Sequence, residues 1–213
     1  NVDGPARYPV VEEETRFRYA DAACRGVGED CPIGDQTILT PFGVSKLAGD
    51  LYVQQFARLY GLDAVIVRPG CFTGPESLAV EEQNWEPYLA QRVMHERPFT
   101  IYGWGGKQVR CVLHVQDLAD LVLRMLHGPN QAGRVFNAGG GLGRAVSLLE
   151  AIHLVEALTG RHAQVSYGNE RPGDWRVYVG DNRLAEREYG WSPTIGVEQT
   201  FSQLVVEARR QTR

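Results

Sequence analysis

Apolar residues recur along this chain with two alternating periods, and the switches between them sketch most of its elements. From Phe42 to Tyr60, the positions Val44, Leu47, Ala48, Leu51 and Tyr52 follow helical spacing, and Gly61 stands where a left-handed C-terminal cap belongs. Asp63 to Arg68 then carries Ala64-Val65-Ile66-Val67, a continuous apolar run typical of a strand buried on both faces, closed by Pro69-Gly70. A helix near Pro87 to Glu96 leads to a short strand, Phe99 to Tyr102, and to the turn Gly103-Trp104-Gly105-Gly106. Val109 to His114 is strand-like, and Leu118, Leu121, Val122, Met125 and Leu126 fall at i, i+3, i+4, i+7 and i+8 of an amphipathic helix. Val135-Phe136 is a further strand. Ser147 to Glu150 has capping-box spacing and opens a helix to about Thr159, closed by Gly160. Helices over Asp181 to Tyr189 and Val197 to Arg209 end the pattern. Residues 1 to 41 are rich in Pro, Gly and acidic side chains without a clear period, and read as a long ordered loop laid over a site. Strands and helices alternate without repeats, which predicts an α/β protein with a mostly parallel sheet followed by a more helical lobe.

The chain has 213 residues and a net charge of −4. That length can bury the core of one domain with an appended lobe, and that charge argues against a nucleic-acid groove. Arg209 and Arg210 read as a solvated helix end. No apolar run approaches the roughly 20 residues needed to cross a bilayer. Cys24, Cys31, Cys71 and Cys111 form no C-x-x-C pair and have no histidine at metal-site spacing, so they read as reduced thiols of a cytoplasmic protein without a metal centre. The opening Asn1-Val2-Asp3-Gly4-Pro5 is a turn sequence rather than a signal peptide, and it reads as the interior of a longer protein.

Candidate chemistry lies in a few short stretches. Phe42 and Lys46, four apart, share one face of their helix. Arg68, Pro69, Gly70, Cys71 and Phe72 lie at the carboxyl end of a strand, where open α/β sheets bind ligands. Arg110 offers a planar guanidinium that forks onto phosphate oxygens. His114 reads as structural, and Asp117 as a cap of the following helix or a support of the motif rather than a reacting group. Arg171 and Asp174 form a later charged group, with Trp191-Ser192-Pro193 further on. Gly139 to Gly143 is glycine-rich after a strand, but Arg144 occupies the last position of what would be G-x-G-x-x-G. The acidic runs Glu12 to Glu14 and Glu81-Glu82 take no catalytic role.

In this order the stretches resemble the extended short-chain dehydrogenase/reductases, the NAD-dependent epimerase/dehydratase family. Thr40-Pro41-Phe42 to Lys46 resembles that family's Tyr-x-x-x-Lys with phenylalanine in place of tyrosine. Arg68 to Pro75 resembles Arg-x-x-Asn-Val-Tyr-Gly-Pro, with Cys71 for the asparagine. Arg110 to Ala119 resembles Arg-Asp-x-x-His-Val-x-Asp-Leu-Ala, with Cys111 for the first aspartate. Arg171 to Asp181, with Trp191 to Pro193, resembles the signature of the nucleotide-sugar lobe, and Asn137 opens a turn like the one closing the family's last sheet strand. The group within the family that it resembles most, through Gln83-Asn84-Trp85, Phe99 to Gly103 and Gly106 to Arg110, is that of CDP-paratose and CDP-tyvelose 2-epimerases.

The resemblance implies the second half of a Rossmann-type parallel sheet, from 1–68 and 109–138, with a mostly helical nucleotide-sugar-binding lobe from 69–108 and 139–213. It implies a catalytic position at Lys46, with Phe42 where the tyrosine stands, and cofactor contacts at Lys46, Arg68, Pro69, Gly70 and Cys71. Substrate contacts fall at Phe72, Gln83, Tyr102, Arg110, Arg171 and Asp174, with Arg110 and Arg171 facing one cleft near Phe72 and Tyr102. The cofactor is NAD, with NADP the alternative, and it requires an N-terminal half that this chain does not include. With that half missing, Val65 and Val135 would lack strand neighbours. The implied activity is C2 epimerisation of a CDP-linked sugar through transient oxidation, by a homodimer or homotetramer that binds neither nucleic acid nor membrane. A nucleotide-sugar 4-epimerase or 4,6-dehydratase is one alternative. Another is a non-catalytic nucleotide-sugar-binding homologue that has lost the tyrosine.

Overall fold

The computed structural model describes residues 8–32, 40–81 and 83–211. Strands β1 (Val10–Glu12) and β2 (Phe17–Tyr19) pair antiparallel within the stretch whose sequence reads as loop. Phe17 and Tyr19 are buried and Arg18 between them is exposed, a period of two carried over too few residues to stand out in the sequence.

Helix α1 (Pro41–Tyr60) starts and stops where local chemistry directs. Thr40 Oγ1 accepts from the Gly43 N–H at 3.1 Å, Pro41 fits the first turn because it needs no N–H bond there, and Gly61 takes φ 67° at the C-cap. Ala57 is its buried residue, whereas Phe42, Leu51, Tyr52, Phe56, Leu59 and Tyr60 are exposed. An apolar face of this extent is built for contact. The ion pair from Arg68 Nε to Asp50 Oδ2, at 2.7 Å, ties the helix to the strand that follows.

The strands form several small pairings. Strand β3 (Ile66–Pro69) runs parallel to β7 (Val135–Ala138), with Ile66 opposite Val135, so Val135 has a strand neighbour after all. Strands β4 (Cys71–Thr73) and β10 (Val177–Tyr178) flank β6 (Val109–His114) in parallel, and β8 (Ala145–Ser147) joins β6 antiparallel. Residues 109–114, grouped by sequence with the Rossmann half, are thus hydrogen-bonded to segments grouped with the lobe. Strands β5 (Pro98–Tyr102) and β9 (Gln164–Gly168) form a separate parallel pair.

Helices α2 (Trp85–Met94), α4 (Leu148–Thr159) and α6 (Val197–Arg210) close over β5 around Leu89, Val93, Ile101, Val155 and Phe201. The capping box of α4 forms as its sequence predicts: Ser147 Oγ accepts from Glu150 N at 3.1 Å, and Glu150 Oε2 from Ser147 N at 2.9 Å. A second core lies under the hairpin, where Phe17 and Tyr19 meet Val109 and Val179. The third holds Leu113, Phe136 and Trp191 beneath helices α3 (Val115–His127) and α5 (Arg183–Tyr189). Among the described residues no helix is long and apolar enough to cross a membrane.

One capping expectation is corrected. His114, fully buried, is the N-cap of α3: its Nδ1 accepts from Gln116 N at 3.1 Å, which leaves Nε2–H to donate to Gln203 Oε1 at 2.8 Å. Asp117 instead spends its carboxylate on the distant loop before α6, accepting from Thr194 N, Thr194 Oγ1 and Ile195 N at 3.0, 2.8 and 3.0 Å. Trp191 belongs to the core and not to the ligand-facing surface.

Candidate functional site

Two cavities adjoin, and Arg110 lines both. The larger, about 780 Å³, opens where β3 ends and β4 begins, and Pro69, Gly70, Cys71, Phe72, Phe42, Gln83 and Arg110 all line it. A parallel strand leaves its carboxyl end to a loop, so side chains and backbone there face open space. The Thr40 cap and the direction of α1 bring Phe42 to the same rim, where its ring is 65 % exposed. Lys46 lies one turn on, its Nζ 5.2 Å from the centre of the Phe42 ring, but it does not line the cavity. Arg68 does not line it either. Its guanidinium is taken by Asp50, with a further bond from Nη1 to the Glu29 carbonyl at 3.5 Å, so it ties α1 to β3.

The smaller cavity, about 170 Å³, gathers Tyr102, Arg110, Arg171 and Asp174. Arg110 is held by an ion pair from Nη2 to Asp174 Oδ1 and by a bond from Nη1 to the Val109 carbonyl at 2.7 Å. Arg171 stacks its guanidinium 4.2 Å above the Tyr102 ring, and the Tyr102 hydroxyl donates to Glu81 Oε1 at 3.2 Å. The two arginines therefore share one cleft with Tyr102, while Phe72 sits in the neighbouring cavity across the Arg110 wall.

Further lining residues fall outside the expected contacts, although Trp85, Thr100 and Gln108 lie within the stretches that carry the family resemblance and Tyr88 does not. Trp85 and Tyr88 lie one turn apart on α2, Thr100 alternates with Tyr102 on β5, and Gln108 alternates with Arg110 at β6. These pairings follow helix and strand periods and were open to a search for polar or aromatic residues at ligand-facing offsets. Glu86 is a different case, a carboxyl only 2 % exposed that lines the larger cavity. Burial pushes it up to about 7, against the opposing pull of its own backbone N–H and of Arg110. Burial also pushes the Cys71 thiol and the Tyr178 phenol each up to about 12, so both are neutral near pH 7.

Residues 19–139 match the NAD-dependent epimerase/dehydratase family. The chain belongs to that family. Among relatives, the CDP-paratose 2-epimerase of Salmonella typhi is 31 % identical over 198 residues, which are 90 % of this chain and 57 % of that protein. The UDP-glucose 4-epimerase of Thermotoga maritima, solved with UDP-glucose, superposes with a TM-score of 0.74 at 26 % identity, over 82 % of this chain and 55 % of that one. A tyrosine-to-phenylalanine mutant of the Bacillus cereus UDP-glucuronic acid 4-epimerase, solved with UDP-4-deoxy-4-fluoro-glucuronic acid and NAD, gives 0.76 at 25 % identity, over 87 % and 57 %. This family member thus spans a little over half the length of the relatives it matches. Its described residues carry Rossmann-type architecture, with the β3–β7 pair leading into the larger cavity.

Proposed function

We propose that this chain is the nicotinamide- and sugar-facing part of an NAD-dependent nucleotide-sugar epimerase acting at C2 of a CDP-linked sugar. The observation that carries this reading is the position of Arg110, one guanidinium on the shared wall of two cavities, with strand ends on one side and an arginine–tyrosine stack on the other. A ligand with a ring at one end, a base at the other and a diphosphate between them fits that layout.

NAD, when bound, supplies a hydride acceptor and donor for the sugar carbinol. The rim of the larger cavity suits its nicotinamide end: a flat apolar ring at Phe42, open backbone at Pro69 to Cys71, a neutral thiol and, a turn away, the Lys46 ammonium for ribose hydroxyls. Arg110 and Arg171 would grip the diphosphate, Asp174 holding Arg110 in the orientation that leaves its remaining N–H groups for phosphate. Phe72 and Gln83 would flank the sugar, and the Tyr102 ring would meet the base. Removing the Arg171 guanidinium by Arg171→Ala is expected to weaken CDP-glucose binding about tenfold, the worth of one charge-assisted hydrogen bond, as read by calorimetric titration.

Phe42 offers no oxygen for proton transfer at a sugar hydroxyl. In the full-length protein Phe42→Tyr should raise epimerisation at least tenfold, within what a positioned acid/base supplies, as followed by NMR of the sugar C2 proton. No gain, with NAD and CDP-sugar binding intact, would favour the second reading, a nucleotide-sugar-binding protein without this chemistry. Phe42 itself favours that reading, and the Bacillus cereus phenylalanine mutant, which holds both a nucleotide-sugar analogue and NAD, is consistent with binding that survives such a change.

A further inference from the structure

We propose that Glu86 is a further ligand-binding residue, whose carboxyl takes up one proton as an anionic nucleotide sugar fills the larger cavity. The inference rests on the nucleotide-sugar reading above. Glu86 is the second residue of α2 and lines the cavity together with Phe42, Cys71 and Arg110. Its Oε1 is buried and has no hydrogen-bond partner among the described residues. Native proteins rarely leave such an atom unmet, because an unsatisfied buried acceptor costs most of its hydration, so a free carboxyl oxygen beside a cavity points to a group supplied from outside.

Charge explains the proton. Arg110 is the positive group that favours the Glu86 carboxylate, and the same guanidinium is the one a diphosphate would neutralise. Once a ligand spends that charge and adds its own negative charge nearby, the carboxylate loses its support, and the neutral acid becomes the favoured form. A neutral carboxyl is also a donor, which can bond a phosphate or sugar oxygen where a carboxylate would repel it.

The other groups facing Glu86 stay silent. Cys71 from β4 and Tyr178 from β10 each titrate at about 12, and Arg110 from β6 supplies a fixed positive charge. Helices α4 and α6 meet α2 through apolar side chains, among them Ala151, Val155, Phe201 and Leu204. Between pH 6 and 9, Glu86 is thus the group among the described residues of this wall whose protonation changes.

The test is a calorimetric titration of the 213-residue chain with CDP-glucose at pH 8, in two buffers of different ionisation enthalpy. The unmutated chain should take up close to one proton per ligand, and its affinity should fall by up to about tenfold from pH 7.5 to 8.5. Glu86→Gln should bind within about threefold of the unmutated chain at pH 6, take up no proton and show no such pH slope. As a check that needs no variant to fold, the Glu86 carboxyl carbon, followed by NMR in the unmutated chain, should titrate near pH 7 and move up by about two units or more with ligand, the shift that close to one proton at pH 8 requires. Binding without proton uptake, or uptake that persists in Glu86→Gln, overturns the inference and leaves the nucleotide-sugar reading standing. Failure of the unmutated chain to bind either CDP-glucose or UDP-glucose overturns both.

Discussion

Replacing Arg110 by alanine is expected to weaken CDP-glucose binding about a hundredfold. The side chain is mostly buried, reaches both cavities and is already oriented by Asp174 and the Val109 carbonyl, so little ordering remains to oppose its bonds to phosphate. Two charge-assisted hydrogen bonds at about 1.5 kcal/mol each give roughly 3 kcal/mol, and each 1.4 kcal/mol is a tenfold change. Removing the guanidinium also leaves the Asp174 carboxylate unneutralised in the cavity wall, where it would repel an anion. Arg110→Lys separates fork geometry from charge: it should recover part of the loss but not all, because an ammonium cannot bond two oxygens in one plane. Calorimetric titration reads both variants. Full affinity in Arg110→Ala, with unchanged far-ultraviolet circular dichroism, would remove the diphosphate from this wall.

Trp191→Ala should lower unfolding free energy by about 3–5 kcal/mol, a large share of the roughly 5–15 kcal/mol that holds a typical domain together. Trp191 is fully buried against Leu113, Leu121 and Phe136, and its Nε1–H donates to the Asp117 carbonyl at 2.9 Å. The substitution opens a cavity and removes that hydrogen bond in the same stroke. The damage should extend along the chain, because Asp117 also holds Thr194 and Ile195 just ahead of α6. Trp191→Phe, which keeps most of the volume and loses the donor, should cost about 1–3 kcal/mol. Urea titration measures each. A loss under 1 kcal/mol for Trp191→Ala would mean that the indole is not what holds the third core.

Features written within a few residues were legible before any coordinates. Gly61, Ser147 and Glu150 act on backbone groups no more than one turn away, so their spacing alone locates the end of α1 and the start of α4. Arg110, Arg171 and Asp174 were legible through family motifs, and they do converge. What escaped depends on partners far along the chain. Asp117 has the spacing of a helix cap, but its carboxylate is claimed by residues 77 and 78 positions later. Arg68 stands in a ligand motif yet is claimed by Asp50, which nothing in its own stretch announces. Strand β9, with three of its last residues exposed, lacks the apolar run that marks a buried strand, and it pairs with β5 through backbone bonds any sequence can make. Glu86 gave no signal because an isolated glutamate at the start of a helix is ordinary there.

The clamp between Asp50 and Arg68 makes α1 a lever. Asp50 lies eight residues from Phe42, about 12 Å along a helix axis, and most of the arm between them is solvated. A tilt of about 10° around that pivot would carry the Phe42 ring about 2 Å, enough to narrow or widen the mouth of the larger cavity by the van der Waals radius of a methyl group. That ion pair anchors the far end of the arm that carries Phe42 to the mouth over Pro69 to Phe72, so a change at Asp50 would be felt in what the cavity admits.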